Sequence, residues 1–234
     1  MDVSGARLRA VRARIAEACA RADRHPGDVR LLAVSKQHPP DAIRALHALG
    51  QRAFGENRLQ EASVKQDALA DLDLQWHFIG PVQSNKTRDI AARFDWVQSV
   101  DREKLVRRLG EQRPDDQPPL SICLQVNIDA EPQKAGASPE DLETLAAMTH
   151  DYPRLRLRGL MCLPEYTADA RATLDSFRRV AALQQSLCRR GFELDTLSMG
   201  MSGDLALAIE AGSTMVRIGT DLFGPRPGSG PLPS

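Results

Sequence analysis

The feature that most constrains this chain is an alternation. From Val29 onward, short apolar runs rich in β-forming residues trade places with stretches of helical period, and the pattern repeats eight times. The runs fall at 30–35, 51–55, 75–80, 95–100, 120–128, 155–162, 194–198 and 214–219; the helix-compatible stretches fall at 40–49, 57–70, 85–93, 101–112, 138–149, 169–190 and 203–211. The runs are almost continuously apolar, as in Ser121-Ile122-Cys123-Leu124-Gln125-Val126, which suits strands of a parallel sheet covered by helices. Such a chain predicts the α/β class and a single (β/α)8 TIM barrel. The competitor is an open doubly wound sheet, which a Gly-rich turn after the first strand would favour. Here that turn reads Lys36-Gln37-His38-Pro39-Pro40, without a glycine. Leu8, Val11, Ile15, Ala18 and Cys19 recur at helical spacing and predict an additional N-terminal helix at 5–23 lying against the barrel.

Local signals punctuate the pattern. Ser138 before Pro139, and Ser202 with Asp204, read as helix starts, while Gly50, Gly110 and Gly191 read as helix stops. The barrel is expected to occupy 1–224, and the turn-forming residues 225–234 to make a flexible tail.

Composition removes several function classes. Lys+Arg and Asp+Glu are equal at 31 each, which argues against a nucleic-acid partner. No apolar stretch approaches the ~18 residues of a membrane span, so no membrane partner is expected. The opening Met1-Asp2-Val3-Ser4-Gly5 lacks a charged-then-apolar signal pattern, so the expected location is cytoplasmic. The balanced charge leans towards a monomer. Cys19, Cys123, Cys162 and Cys188 form no C-x-x-C pair and are expected to be buried free thiols.

In a barrel, strand 8 closes on strand 1, so the ends of strands 7, 8 and 1 share one rim. Strand spacing puts the ends of strands 7 and 1 roughly 10 Å apart. Lys36 ends strand 1, Met201-Ser202-Gly203 follows strand 7, and Gly219-Thr220 follows strand 8. An amine facing two loops able to hold a phosphate is what a pyridoxal 5′-phosphate site requires. Lys36 would attack the aldehyde to give an internal aldimine. Ser202, Gly219 and Thr220 offer hydroxyls and backbone N–H groups to the phosphate, with Met201 and Gly203 in the same loops. Arg217 on strand 8 is placed to donate to the pyridine nitrogen, which keeps that nitrogen unprotonated and weakens the ring as an electron sink. Its plainer role would be to pair with a barrel carboxylate.

Asn57, after strand 2, is within reach of the cofactor. His77 on strand 3 is either a ring contact or, with more weight, a core histidine bonded to a neighbour. Gln83-Ser84-Asn85-Lys86 could be a helix cap, Lys134 a solvated rim charge, and Met199 and Met201 apolar packing.

Taken together, Ala33-Val34-Ser35-Lys36, Phe54-Gly55-Glu56-Asn57, Trp76-His77-Phe78-Ile79-Gly80, Gln83-Ser84-Asn85-Lys86, Arg158-Gly159-Leu160-Met161, Ser198-Met199-Gly200-Met201-Ser202 and Val216-Arg217-Ile218-Gly219-Thr220 resemble the pyridoxal phosphate homeostasis protein family. The resemblance implies a barrel like the N-terminal domain of alanine racemases, with the cofactor on Lys36. It implies management of the cellular cofactor pool, with cofactor-accepting apo-enzymes as partners, rather than turnover of a substrate. The family's contact positions match at Lys36, Asn57, Ser202, Arg217, Gly219 and Thr220. Two departures stand on the rim: Gln37-His38-Pro39 where many relatives have Thr-Lys-Pro, and Arg58 where relatives usually have tyrosine. The rivals are an amino-acid racemase and a Schiff-base aldolase acting on a sugar phosphate.

Overall fold

The computed structural model describes residues 3–131, 135–164 and 167–225. Eight strands close into a barrel in chain order: β1 (Arg30–Val34), β2 (Ala53–Glu56), β3 (Gln75–Phe78), β4 (Trp96–Val100), β5 (Leu120–Val126), β6 (Leu155–Cys162), β7 (Thr196–Ser198) and β8 (Met215–Ile218). Every neighbouring pair is parallel, and β8 returns to β1 with Leu32 opposite Arg217 and Ala33 opposite Ile218. The helices are α1 (Val3–Arg21), α2 (Pro40–Ala48), α3 (Leu59–Ala68), α4 (Thr87–Arg93), α5 (Glu103–Gln112), α6 (Leu142–His150), α7 (Ala170–Arg189), α8 (Leu205–Glu210) and α9 (Thr220–Phe223). The expected barrel is therefore present.

Alternation along each strand sorts side chains between two environments. Phe54, Val97, Ile122 and Leu160 are fully buried in the main apolar core. The lumen is more polar. Gln98 on β4 bonds to His77 on β3 and to Ser198 on β7, a reach possible only through the barrel's interior. The N-terminal end of the lumen is plugged by Trp96, with the Arg30 and Arg158 guanidiniums 5.2 and 4.6 Å from its ring.

The extra helix lies where α8 and α9 need cover. α1 buries Leu8, Val11, Ile15, Ala18 and Cys19, the same positions that carry its period. Arg7 Nη1 donates to the Phe223 carbonyl at 2.9 Å, and Arg24 Nη1 to those of Ile209 and Ser213 at 2.9 and 2.7 Å. These bonds satisfy C-terminal carbonyls that the short helices cannot satisfy themselves.

Several local expectations are corrected. Gly50 and Gly191 do end helices, at φ +89° and +97°. Gly110 does not; it lies inside α5, where a Cβ would stand 2.4 Å from the Tyr152 ring, so it is a packing glycine. Ser202 does not open a helix: α8 starts at Leu205, with Asp204 at its N-cap. Ser138 does start a helical turn, as N-cap of the 3-10 segment Pro139–Asp141, but gives its hydroxyl to the Asp141 carboxylate at 2.9 Å rather than to a backbone N–H. Cys19, Cys123 and Cys162 are buried free thiols, but Cys188 is exposed. Met199 is packed as expected, whereas Met201 is exposed. Lys134, Tyr166 and the tail beyond Pro225 lie outside the described residues. No described helix is long and apolar enough to cross a membrane.

Candidate functional site

Lys36 sits in the turn that leaves β1, half-buried, two residues beyond Val34. The turn is held from three directions. Ser35 N–H donates to the Gly55 carbonyl at 3.0 Å, tying it to β2. Gln37, in the left-handed region at φ +64°, gives its N–H to the Glu61 carboxylate of α3. The His38 ring stacks on Phe223 of α9 with centroids 4.8 Å apart. Of the two departing residues, His38 thus ties the strand 1 turn to the helix after strand 8, while Gln37 ties it through its backbone to α3.

Beneath the turn lies a charged cluster that the sequence did not announce. Lys65 of α3 is buried, and its Nζ donates to Glu56 Oε1 at 2.7 Å, Glu61 Oε1 at 2.6 Å and the Ser35 carbonyl at 2.7 Å. The Ser35 hydroxyl donates to the same Glu56 oxygen at 2.6 Å. Burial pushes the Glu56 carboxyl up, outweighing the bonds from Lys65 and Ser35. At Glu61 burial acts the same way, yet the Lys65 and Gln37 bonds win and hold the carboxyl below its usual range. The i, i+4 spacing of Glu61 and Lys65 was visible in the sequence; their convergence with Glu56 under Ser35 was not.

Arg217 of β8 is buried in the lumen's upper layer. Its Nη1 donates to the Ser198 carbonyl at 2.5 Å and the Ser198 hydroxyl at 2.8 Å, and its Nη2 to the Cys162 carbonyl at 2.8 Å. The guanidinium is thus spread across the C-terminal ends of β6 and β7. Among the described residues it has no carboxylate partner, which answers the ion-pair alternative. Burial lowers its pKa from the ordinary value, although arginine stays charged at any physiological pH.

The small-residue loops flank this cation. Gly219 follows β8 beside the Val34 carbonyl, and Thr220 opens α9, exposed. Arg217 N–H bonds to the Gly200 carbonyl at 2.9 Å, joining the β7 loop to β8. In that loop Ser202 is half-buried and Gly203 exposed. The Met201 N–H is taken by Asp204 Oδ1 at 2.5 Å, so Met201 offers a ligand neither a backbone donor nor a buried surface. Asn57 is half-buried at the end of β2.

His77 belongs elsewhere. It is fully buried, stacked on Trp96 at 5.0 Å, with one ring nitrogen 2.8 Å from Gln98 Nε2 and the other 3.1 Å from Gln75 Oε1. Both polar atoms are engaged inside the barrel, and burial lowers its pKa well below the ordinary value, an environment that suits the core-histidine alternative. Asn127 likewise staples its own loop, bonding the Glu131 carbonyl and N–H at 2.8 and 3.2 Å. The described residues contain no His/Cys/Asp/Glu cluster that could hold a metal ion.

Known proteins are similar to this chain. A family model described as alanine racemase, N-terminal domain, matches residues 6–227. The pyridoxal phosphate homeostasis protein of Pseudomonas aeruginosa is 57% identical over 216 residues, which is 92% of this chain and 93% of its own. The protein of that name from Escherichia coli is 46% identical over 222 residues, 94% of this chain and 95% of its own. Among solved structures, PipY of Synechococcus elongatus with pyridoxal phosphate bound has a TM-score of 0.79 and 41% identity, covering 90% of this chain and 100% of its own.

Proposed function

The chain belongs to the pyridoxal phosphate homeostasis proteins, within the alanine racemase N-terminal domain family, and from that premise we propose that it binds pyridoxal 5′-phosphate and serves control of the cofactor pool. The observation that carries this is Arg217: a buried, permanently charged donor with three N–H groups on protein oxygens and the rest of its fork left for an acceptor at the rim.

The residues present fit the group. A Cβ at Gly203 would meet no atom within 4 Å, so open space lies beside the backbone where a phosphate would lie. Ser202, Thr220 and the N–H groups of Gly203, Gly219 and Thr220 would hold that phosphate, without lysine or metal. Arg217 would donate to the pyridine nitrogen, Asn57 would contact the cofactor from β2, and Lys36 would link to it covalently. When bound, the cofactor supplies an aldehyde that reacts with amines. The chain's part is to present the Lys36 amine from a braced turn and to keep the ring nitrogen unprotonated.

The site supports holding better than turnover. Lys36 is half-buried and Gly203 and Thr220 are exposed, so a bound cofactor would stand open to solvent and to an apo-enzyme acceptor. Two candidates for a second proton-transfer group are weak: burial pushes the Cys162 thiol up to about 12, and Tyr152 lies at the other end of the barrel, against Gly110. The proposed protein is a monomeric carrier.

The test is absorption. Apo-protein titrated with pyridoxal phosphate should develop a visible band that Lys36→Ala lacks while keeping its circular dichroism. A wild-type protein that gains no band, yet binds a sugar phosphate, would replace this function with that of an aldolase.

A further inference from the structure

The lumen contains one continuous run of hydrogen bonds that ends on Arg217. The Arg217 guanidinium donates to Ser198 Oγ at 2.8 Å, and Ser198 Oγ donates to Gln98 Oε1 at 2.6 Å. Gln98 Nε2 donates to His77 Nδ1 at 2.8 Å and to Met215 Sδ at 3.2 Å. His77 Nε2 then donates to Gln75 Oε1 at 3.1 Å. The bonds cross four strands, and from Arg217 to His77 every member is buried.

Their directions are not interchangeable. A guanidinium has no acceptor, so the Ser198 oxygen must receive from Arg217 and its single proton must point onward to Gln98. With its oxygen so engaged, the Gln98 amide must present N–H to His77, which then accepts at Nδ1 and carries its proton on Nε2. A neutral His77 is the only form that suits, and its complete burial enforces that form. Each downstream acceptor draws the proton before it onward and makes the Ser198 oxygen a better acceptor for the guanidinium.

We infer that Gln98 is a positioning residue: by fixing the Ser198 hydroxyl as an acceptor, it sets the orientation in which Arg217 meets the cofactor's ring nitrogen. The inference rests on the ring-nitrogen contact proposed above. Ser198 is the coupling atom, since its hydroxyl and its carbonyl both receive from Arg217 Nη1. Without Gln98 the hydroxyl is free to rotate, and one of the three bonds that hold the guanidinium's plane is weakened.

The experiment is a pH titration of the visible band of protein loaded with pyridoxal phosphate, together with the cofactor's dissociation constant. Arg217→Gln changes the charge at the ring nitrogen and should move the midpoint of the titration. Gln98→Met, which nearly preserves volume and apolar contact with Met215, should move it in the same direction by about half a unit, and weaken binding about three- to tenfold. In the Arg217→Gln background, Gln98→Met should move the midpoint no further. Thr220→Val should weaken binding with no change of midpoint. Ser198→Ala removes one oxygen atom and should reproduce Gln98→Met, so it carries the test if that variant fails to fold. An unmoved midpoint in a folded Gln98→Met or Ser198→Ala protein, with Arg217→Gln still shifted, overturns this inference and leaves the proposed site standing. An additive shift in the double variant overturns it as well, and no shift in Arg217→Gln overturns both.

Discussion

Lys65 Nζ stands 2.7 Å from Glu56 Oε1 in a space closed to solvent, directly under the carbonyl of Ser35. The pair fills the seam between β2 and α3 and carries the turn on which Lys36 is mounted. Its second carboxylate oxygen, Glu56 Oε2, has no partner, so the cluster is finely balanced.

Lys65→Met should therefore be costly. Removing one member of a buried ion pair leaves the other charge uncompensated, at about 3–5 kcal/mol. Urea unfolding at neutral pH should show a loss of that size, and Lys65→Met/Glu56→Leu should recover most of it. Burial already pushes the Glu56 carboxyl up, so the folded variant binds a proton more readily than the unfolded chain. Its deficit should accordingly shrink as pH falls. A loss below about 1 kcal/mol, independent of pH, would show that the pair contributes nothing.

His77 gives the opposite sign. Its folded pKa is depressed by burial, so below the ordinary value of 6.5 the unfolded chain takes a proton that the folded protein refuses. Stability is intact above that value and should fall as pH drops below it, by about 1.4 kcal/mol per pH unit until the folded pKa is reached. The difference between wild type and His77→Gln, followed by urea unfolding from pH 7.5 down to pH 5, isolates this slope. Parallel curves would place a proton on the folded ring.

Thr220→Val tests the phosphate cradle. Charge-assisted hydrogen bonds contribute about 1.5–3 kcal/mol, so the affinity for pyridoxal phosphate should drop by about one to two decades. Pyridoxal, which lacks the phosphate, should bind the two proteins equally. A wild-type protein that binds pyridoxal as tightly as its phosphate would remove the cradle from this rim.

The barrel was legible because it rests on a local signal. Continuous apolar runs and helical periods are written residue by residue, and the N-terminal helix came out within two residues of its expected bounds for the same reason. Strand order alone likewise brings Lys36, Ser202 and Gly219 to one rim. What escaped depends on register and on contacts across the lumen. Gln98 reads as an unremarkable polar residue on a buried strand, and only closure sets it against Ser198 and His77. Lys65 reads as a surface lysine at i+4 from Glu61, and α9 is too short at four residues to show a period. Gly110 was misread because a glycine near the end of a helical pattern looks like a stop, while its neighbour Tyr152 is distant in sequence.

Amino-acid racemisation should be absent at enzyme-like rates. Inversion needs acid–base groups on both faces of the substrate adduct, and Lys36 serves only one. The Cys162 thiol keeps its proton, with burial pushing it up to about 12. Arg217 at the ring nitrogen, as proposed, would further limit charge delocalisation into the ring. Solvent deuterium incorporation at Cα of alanine, followed by chiral analysis, should show neither exchange nor inversion at more than trace levels. Lys36-dependent inversion at enzyme-like turnover would make this protein a racemase.

The central claim is that Lys36, and no other amine of the chain, carries the cofactor. Borohydride reduction of the loaded protein, followed by proteolysis and mass analysis, tests it most directly. The account predicts the phosphopyridoxyl group on the peptide containing Lys36, at close to one per chain, and its loss in Lys36→Ala. A label found mainly on Lys65, Lys86 or another lysine of the wild-type protein would contradict it.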